Sequence, residues 1–370
     1  MPRVMVRKAE YDYAVLKPII FEMLQAFDQG RIKANTQVLI KPNLLFPTSP
    51  ETAILTHPLI IKAAAEYVLE KGGRVSISDS GAIGAFEKAL KLNGITKALE
   101  GLPVVLKEFK NSVRVSVGEP FGEIELAEDA VAAEVIINLP KLKTHSQMML
   151  TLGVKNMFGC VVGFRKPEWH LRAGVSREKF AHLLVAICSA LKPTVTILDG
   201  ILALEGEGPG KGGQPRHLGL IIAGDDTLAV DVTVCRLLGL EPLELLTSKV
   251  AHGLGLLDPA IELEGELPRI KGFRLPATIP LLFGPRIFHG FLRKNLIQRP
   301  VAQSARCKLC GECWQYCPAK AISHDRRKVT FDYDKCIRCY CCIEVCPHAA
   351  LTTNEPLPGK IIRKMLKIYS

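Results

Sequence analysis

Nine of the twelve cysteines lie between Cys307 and Cys346, and eight of those nine repeat one spacing twice. "CKLCGECWQYCP" holds Cys307, Cys310, Cys313 and Cys317, and "CIRCYCCIEVCP" holds Cys336, Cys339, Cys342 and Cys346. Three thiolates at two-residue gaps let a tight turn wrap one corner of an iron-sulfur cube, while a fourth, ahead of a proline, points away to a second cube. The spacing therefore predicts two [4Fe-4S] clusters, one on Cys307, Cys310, Cys313 and Cys346, the other on Cys336, Cys339, Cys342 and Cys317. A disulfide framework requires an oxidising compartment, and zinc takes four ligands per site without this crossed, proline-ended pattern.

The tails of the two runs also repeat, "CPAKAI" answering "CPHAAL", and "KVTFDYD" between them reads as a strand of a small hairpin. Residues 303–352 resemble the bacterial two-cluster ferredoxins. Cys341, beside Cys342, stands outside the repeat. It reads either as a small side chain facing the protein or as a thiol for ligand exchange or redox sensing. Cys188 and Cys235 fall in apolar helical patterns and read as core, whereas Cys160 closes a basic segment.

That segment, "INLPKLKTHSQMMLTLGVKNMFG" over residues 137–159, sets lysines, a histidine and asparagines into an apolar stretch without one acid. Lys141, Lys143, His145, Lys155 and Asn156 are donors in search of an acceptor, which favours a bound anion. The competing reading leaves Lys141 and Lys143 in solvent and pairs Lys155 with Asp79 or Asp199.

These residues need elements to bring them together. The first 270 residues alternate short apolar runs with helical patterns, the signature of an α/β layer structure with a largely parallel sheet. "TQVLIKPN", "RVSISDSG", "AAEVIINLPK", "TVTILDG" and "LGLIIAGDD" read as strands, and "THPLIIKAAAEYVLEKGG" as a helix with Pro58 in its first turn, Thr56 as its cap and Gly72 or Gly73 closing it. Each strand stays apolar until its end, where Lys41 and Asn43, Asp79 and Ser80, Asn138 and Lys141, Asp199, then Asp225 and Asp226 appear. Parallel strands share one carboxyl edge, and ligands bind in the crevice outside it. A mixed sheet would move some of these residues to the opposite edge. The aspartates have an alternative role as strand terminators and helix caps, and His57 as the residue that starts its helix. Asp231 reads either as a buried acid or as a solvated helix position.

"EGEGPGKGG", residues 205–213, does not fit a phosphate loop: Glu205 stands where the first glycine belongs, and Gly212 follows Lys211 in place of Ser or Thr. No G-x-G-x-x-G follows a strand, so a dinucleotide held in the Rossmann manner has no support. A loop over a site, with Glu205 and Glu207 as acids, is the expectation.

"LIKPNLL", "THP", "SDSG", "INLPKLKTH", "TLGVKNMFGC", "ILDGI" and "EGEGP", in that order, resemble the family known as domain of unknown function 362, which occurs fused to ferredoxin modules. The resemblance spans most of residues 1–270 and implies an iron-sulfur protein of anaerobic or redox metabolism, with no general reaction attached. Its blocks contain Lys41, Asn43, His57, Asp79, Asn138, Lys141, Lys143, His145, Lys155, Asn156, Asp199 and Glu205. Of these, Lys141, His145, Lys155, Asp199, His57 and Asp79 are the catalytic candidates, and Lys41, Asn43, Asn138, Lys143, Asn156 and Glu205 the binding ones.

The expected organisation is an α/β domain over 1–270, a basic amphipathic linker over 271–302, a small α+β two-cluster ferredoxin-like domain over 303–352, and a basic amphipathic tail over 353–370. The net charge of +11 belongs to the C-terminal part, where residues 271–370 hold 18 Lys+Arg against 6 Asp+Glu. In the linker, Ile287, Phe288, Phe291, Leu292 and Leu296 recur at helical spacing opposite Arg293 and Lys294. The tail sets Ile361, Ile362, Met365 and Leu366 against Lys360, Arg363, Lys364 and Lys367. Such faces pack on the protein itself, or meet an anionic membrane surface peripherally or an acidic redox partner protein. Nucleic acid is disfavoured, because 6% aromatic residues and no nucleic-acid fold signature leave little for base stacking. The N-terminus lacks the apolar core of a signal peptide, and the expected location is cytoplasmic.

Three functions fit: an iron-sulfur oxidoreductase reducing a small anionic substrate, a ferredoxin-type electron carrier with a docking domain, and a cluster or metal maturation factor. A complete set of eight ligands favours durable redox clusters over transient cargo. Lysine and histidine embedded in apolar segments exceed what docking requires.

Overall fold

A computed structural model describes residues 1–81, 86–163, 165–276 and 297–365, with side chains as far as Ile361. The amphipathic pattern from Ile287 to Leu296 and the tail side chains beyond Ile361 lie outside the described residues. Among those described, no helix is long and apolar enough to cross a membrane.

Twelve strands build the α/β part: β1 (Arg3–Lys8), β2 (Gln37–Pro42), β3 (Arg74–Asp79), β4 (Val104–Glu108), β5 (Ser112–Gly118), β6 (Gly122–Ala127), β7 (Val135–Leu139), β8 (Lys141–His145), β9 (Met149–Thr151), β10 (Val195–Gly206), β11 (Gly213–Gly224) and β12 (Glu262–Glu264). All but the β5–β6 hairpin join one sheet, in the order β12-β1-β11-β10-β7-β2-β3-β4, with β8 attached to β10 and β9 to β8. Strands β10, β7, β2, β3 and β4 run parallel, whereas β11 is antiparallel to both β10 and β1. The fold is α/β with a largely parallel sheet, followed by a small unit of short strands and helices.

The direction of β11 corrects one expectation. Asp225 and Asp226 follow its end and therefore lie on the edge opposite the ends of β2, β3 and β7. Asp226 caps the next helix, Thr227–Leu237, accepting from Ala229 N. A second correction concerns the helix Pro58–Glu70, whose N-cap is His57 rather than Thr56: His57 Nδ1 accepts from Leu59 N. The Thr56 hydroxyl instead donates to Leu139 O at 2.7 Å and accepts from Asn43 N at 2.8 Å, tying the ends of β2 and β7 together.

Pro140 separates β7 from β8. It has no N–H for the ladder, and beyond it the chain leaves β2 and pairs with β10, with Lys141 opposite Asp199. The two-residue period of a strand then puts Lys141, Lys143 and His145 on one face. On the other, Leu142 joins an apolar cluster with Leu198 and Leu220, and the Thr144 hydroxyl accepts from Gly208 N. Asp231 is a buried acid that receives Gly153 N at 2.7 Å and Val154 N at 3.1 Å, the first N–H groups of the short helix Gly153–Asn156 that carries Lys155.

Residues as far as Leu275 remain attached to the α/β unit: Phe273 and Leu275 pack on an apolar cluster there, and Arg274 bonds Glu205. In the C-terminal unit Ile322–His324 pairs with Val329–Phe331, the hairpin expected around "KVTF", and Arg299–Ala302 pairs with Leu351–Asn354. The duplication survives in the backbone. Left-handed φ recurs at equivalent places, Leu309 (51°) with Arg338 (58°), Gly311 (99°) with Tyr340 (59°), and Lys320 (47°) with Ala349 (48°).

Replacing Asp231 by Ala would leave two buried N–H groups unpaired. Denaturant unfolding of Asp231→Ala is expected to show a loss of about 2–5 kcal/mol at unchanged slope. A loss under about 0.5 kcal/mol would contradict this anchoring role.

Candidate functional site

The eight repeated cysteines line two separate cavities. Cys307, Cys310, Cys313 and Cys346 border one, and Cys317, Cys336, Cys339 and Cys342 the other, which is the crossed pairing expected from the spacing. Each fourth cysteine sulfur accepts a backbone N–H from its tail, Ala321 N to Cys317 Sγ at 3.3 Å and Ala350 N to Cys346 Sγ at 3.2 Å. These ligand sets and N–H···S contacts fit [4Fe-4S] clusters. Cys310 is exposed, whereas Cys339 and Cys342 are buried.

A third cavity, of about 80 Å³, lies where the carboxyl ends of the parallel strands meet the ferredoxin-like unit. From the α/β side β2 supplies Lys41 and is followed by Asn43, β3 supplies Asp79, and β8 supplies Lys143 and His145. The short helix adds Lys155 and Asn156, and the helix Arg165–Ala173 adds Lys166 and His170. The other wall comes from the ferredoxin-like unit, as Tyr316, Cys341 and Glu344. Cys341 also borders the cavity of Cys317, Cys336, Cys339 and Cys342.

Each buried ammonium has to find oxygen, because desolvation costs several kcal/mol per ion. Lys41 Nζ meets Asp79 Oδ1 at 2.8 Å and Pro42 O at 2.6 Å. Gly159 lies directly on that pair, and a Cβ there would come 2.3 Å from Asp79 Oδ1. Lys143 Nζ donates to Asn43 Oδ1 at 2.7 Å and Ile54 O at 2.8 Å. Burial and the neighbouring charge of Lys155 bring it down to about 7. Lys166 donates to Ser80 O, and burial lowers it to about 8. Lys155 is different: half-buried and facing the cavity, with burial lowering it from the usual lysine range, it makes no hydrogen bond or ion pair among the described residues.

The asparagines form a relay. Asn43 Nδ2 donates to Asn156 Oδ1 at 2.9 Å, Asn156 Nδ2 to Asn138 Oδ1 at 2.8 Å, and Asn138 Nδ2 to Gly153 O at 3.1 Å. Asn138 thus orients the helix carrying Lys155 without bordering the cavity itself.

His145 joins the two units. Its Nδ1 accepts from Gln147 N at 3.1 Å and Met148 N at 3.3 Å, which leaves the proton on Nε2, 2.8 Å from Glu344 Oε1. The two atoms lie off the hydrogen-bonding direction, so the contact is electrostatic. Burial pushes the imidazole down to about 4 and keeps it neutral near pH 7. Burial alone would raise Glu344, but His145 and Lys155 outweigh it and hold the carboxyl at about 2. Burial lowers Lys155 in turn, and the charge of Glu344 opposes that shift. His170 is buried and pushed down to about 3 by burial; it stacks on Phe180 at 4.2 Å, and its Nδ1 has no hydrogen-bond partner.

Lys141, Asp199 and His57 form a second cluster instead. Lys141 Nζ lies 2.8 Å from both Asp199 Oδ2 and the Tyr11 hydroxyl, Tyr11 donates to Asp199 Oδ1 at 2.7 Å, and His57 N donates to Asp199 Oδ2 at 3.0 Å. Its ring stacks on Tyr11 at 3.6 Å. The competing reading, in which Lys155 pairs with Asp79 or Asp199 and Lys141 and Lys143 are solvated, does not hold: Lys41 pairs with Asp79, Lys141 pairs with Asp199, and Lys141 and Lys143 are both buried. Glu205 also stays apart, bound by Arg216 and Arg274. The loop expected over a site is the β10–β11 hairpin tip, with Pro209 on the cavity wall and Glu207 accepting from Thr353.

Sequence reasoning missed Lys166, His170, Thr151, Tyr316 and Glu344. The first two carried a signal, since "RKPEWHLR" sets Lys166 and His170 four residues apart, on one helical face. Glu344 stood as the lone acid in "CYCCIEVC".

Residues 38–236 match the family profile described as a domain of unknown function (DUF362), and residues 306–350 match a 4Fe-4S dicluster domain. The chain belongs to the DUF362 family and carries an iron-sulfur domain of the electron-transfer type. Over 274 residues it is 38% identical to the thylakoid-associated protein of Synechocystis sp., covering 72% of this chain and 85% of that one. Over 56 residues it is 38% identical to pyruvate synthase subunit PorD of Thermotoga maritima, covering 15% of this chain and 57% of that one. A solved structure, the lactate racemase apoprotein from Thermoanaerobacterium thermosaccharolyticum, overlays at TM-score 0.38 and 12% identity on 53% of this chain and 50% of its own.

Removing Asp199 strands the buried Lys141 charge. Asp199→Ala is expected to lower stability by about 3–5 kcal/mol in denaturant unfolding, with Asp199→Asn costing less. Equal losses for the two would contradict an electrostatic role.

Proposed function

We propose that this protein is a ferredoxin-coupled reductase whose substrate is a small anion held between its two units. The observation that carries the reading is the position of Cys341, which borders both the cationic cavity and the cavity of Cys317, Cys336, Cys339 and Cys342. A ligand touching Cys341 would lie one side chain from a cluster-binding set. When bound, two [4Fe-4S] clusters supply single electrons.

The chain's own residues account for the remainder. Lys155 and its neighbours bind the anion and stabilise negative charge as it grows, in a site shielded from water where such contacts are strongest. A proton donor works best with a pKa near the operating pH, and Lys143 and Lys166, brought to about 7 and 8 by burial, hold protons at Nζ in that range. The Lys41–Asp79 pair and the asparagine relay fix the ammonium groups in place. Glu344 of the ferredoxin-like unit supplies the counter-charge on the side nearest the clusters.

Native mass spectrometry of protein purified without oxygen tests this reading. The expected mass exceeds that of the chain with two [4Fe-4S] clusters, and the excess disappears in Lys155→Ala while the clusters remain. Anion affinity is expected to fall as pH rises through about 7–8, where Lys143 and then Lys166 lose their charge. An excess mass that survives in Lys155→Ala, or an affinity that grows over this range, would contradict the assignment.

A further inference from the structure

Three groups that border the cavity have no hydrogen-bond partner among the described residues. Thr151 Oγ1 and His170 Nδ1 are buried, with residue exposures of 3% and 5%, and neither has a hydrogen-bond partner. Lys155, half-buried, faces the same cavity and makes no hydrogen bond or ion pair among the described residues. Leaving the two buried groups unmatched costs about 1–3 kcal/mol each, so their convergence on the cavity that Lys155 faces marks a built binding site rather than a packing accident. His170 is held by stacking on Phe180 and by an edge contact to Phe158 at 5.6 Å, so its nitrogen keeps one direction.

Size narrows the ligand. A dry cavity of about 150 Å³ takes benzene, so one of about 80 Å³ takes about three or four heavy atoms. Charge narrows it further. Lys41 is neutralised by Asp79, and Lys143 and Lys166 donate to protein oxygens, which leaves Lys155, beside Glu344, as the cation with no oxygen of its own. One cationic donor, one hydroxyl and one imidazole suit the two oxygens of a carboxylate.

Resting on the reading that this cavity binds the substrate anion, we infer that the ligand is a monovalent carboxylate-class oxyanion of formate or acetate size, bound by Lys155, Thr151 and His170. Lys155 donates to one oxygen and Thr151 to the other, and His170 donates in its Nδ1–H form. Phosphate, with five heavy atoms and more charge, exceeds both limits.

Isothermal titration of the anaerobically purified, exhaustively dialysed holoprotein with sodium formate, acetate, benzoate and phosphate tests this. Formate or acetate is expected to bind saturably, and benzoate and phosphate at least about tenfold more weakly. Lys155→Met is expected to weaken binding by about tenfold or more, the usual consequence of losing a charge-assisted bond. Thr151→Val, which preserves shape, is expected to weaken it several-fold, and Thr151→Ser to restore it, with cluster absorption unchanged in all variants. Tighter binding of phosphate or benzoate would overturn the assignment of class and size. No carboxylate binding, alongside a co-purifying mass that depends on Lys155, would overturn this inference while leaving the reductase reading intact. No Lys155-dependent ligand of any kind would overturn both.

Discussion

A lysine ammonium enclosed in protein must reach oxygen or lose its proton, and this constraint organises the interior of the α/β domain. Lys41, Lys141 and Lys143 are among its largest fully buried side chains. Lys41 lies near the end of β2, and Lys141 and Lys143 lie in β8 just beyond β7, where neighbouring strands and the segment after β2 deliver acceptors: Asp79 to Lys41, Asp199 to Lys141, and Asn43 with Ile54 O to Lys143. The desolvation cost, several kcal/mol per charge, makes these contacts obligatory. They in turn fix where Asn43, Asn156 and the helix carrying Lys155 can lie. Gly159 is part of the same arrangement, because the chain can cross the Lys41–Asp79 pair only without a Cβ.

The ferredoxin-like unit completes this electrostatic scheme. Glu344 adds an acid to a surface that also carries Asp79 but is otherwise rich in lysine and histidine, and His145, kept neutral by burial, brings Nε2 to 2.8 Å from it. Lys211 Nζ, donating to Pro347 O at 2.8 Å, adds a second tie between the units. The same short segment that carries Glu344 also carries Cys341 and the ligand Cys342. Charge balance at the interface and proximity to a cluster set therefore come from one stretch of chain.

Much of this was legible in the sequence, for identifiable reasons. The cysteine spacing is a local geometric code, so the crossed ligand sets could be written down before any fold. The strands stay apolar until their ends because both faces of the sheet are covered, which exposed Lys41, Asp79 and Asn138 as carboxyl-edge residues. Pairing was not legible: Lys141 meets an aspartate 58 residues away, a distance fixed by strand order alone. Strand direction was equally hidden, and the antiparallel course of β11 removed Asp225 and Asp226 from the edge. Glu205 was misleading because its partners, Arg216 and Arg274, come from the neighbouring strand and from beyond the sheet. Cys341 and Glu344 gained their roles only from how the two units meet.

The cationic cavity and the Cys317, Cys336, Cys339 and Cys342 set meet at Cys341, and the proposed function turns on that meeting. An anaerobic crystal structure of the cluster-loaded protein is the most direct measurement. The expected result is a [4Fe-4S] cluster on that set, Cys341 between it and the cavity, and a small bound oxyanion contacted by Lys155. A structure in which the two units separate there, or in which Lys155 turns to a protein carboxylate and the cavity closes, would contradict it.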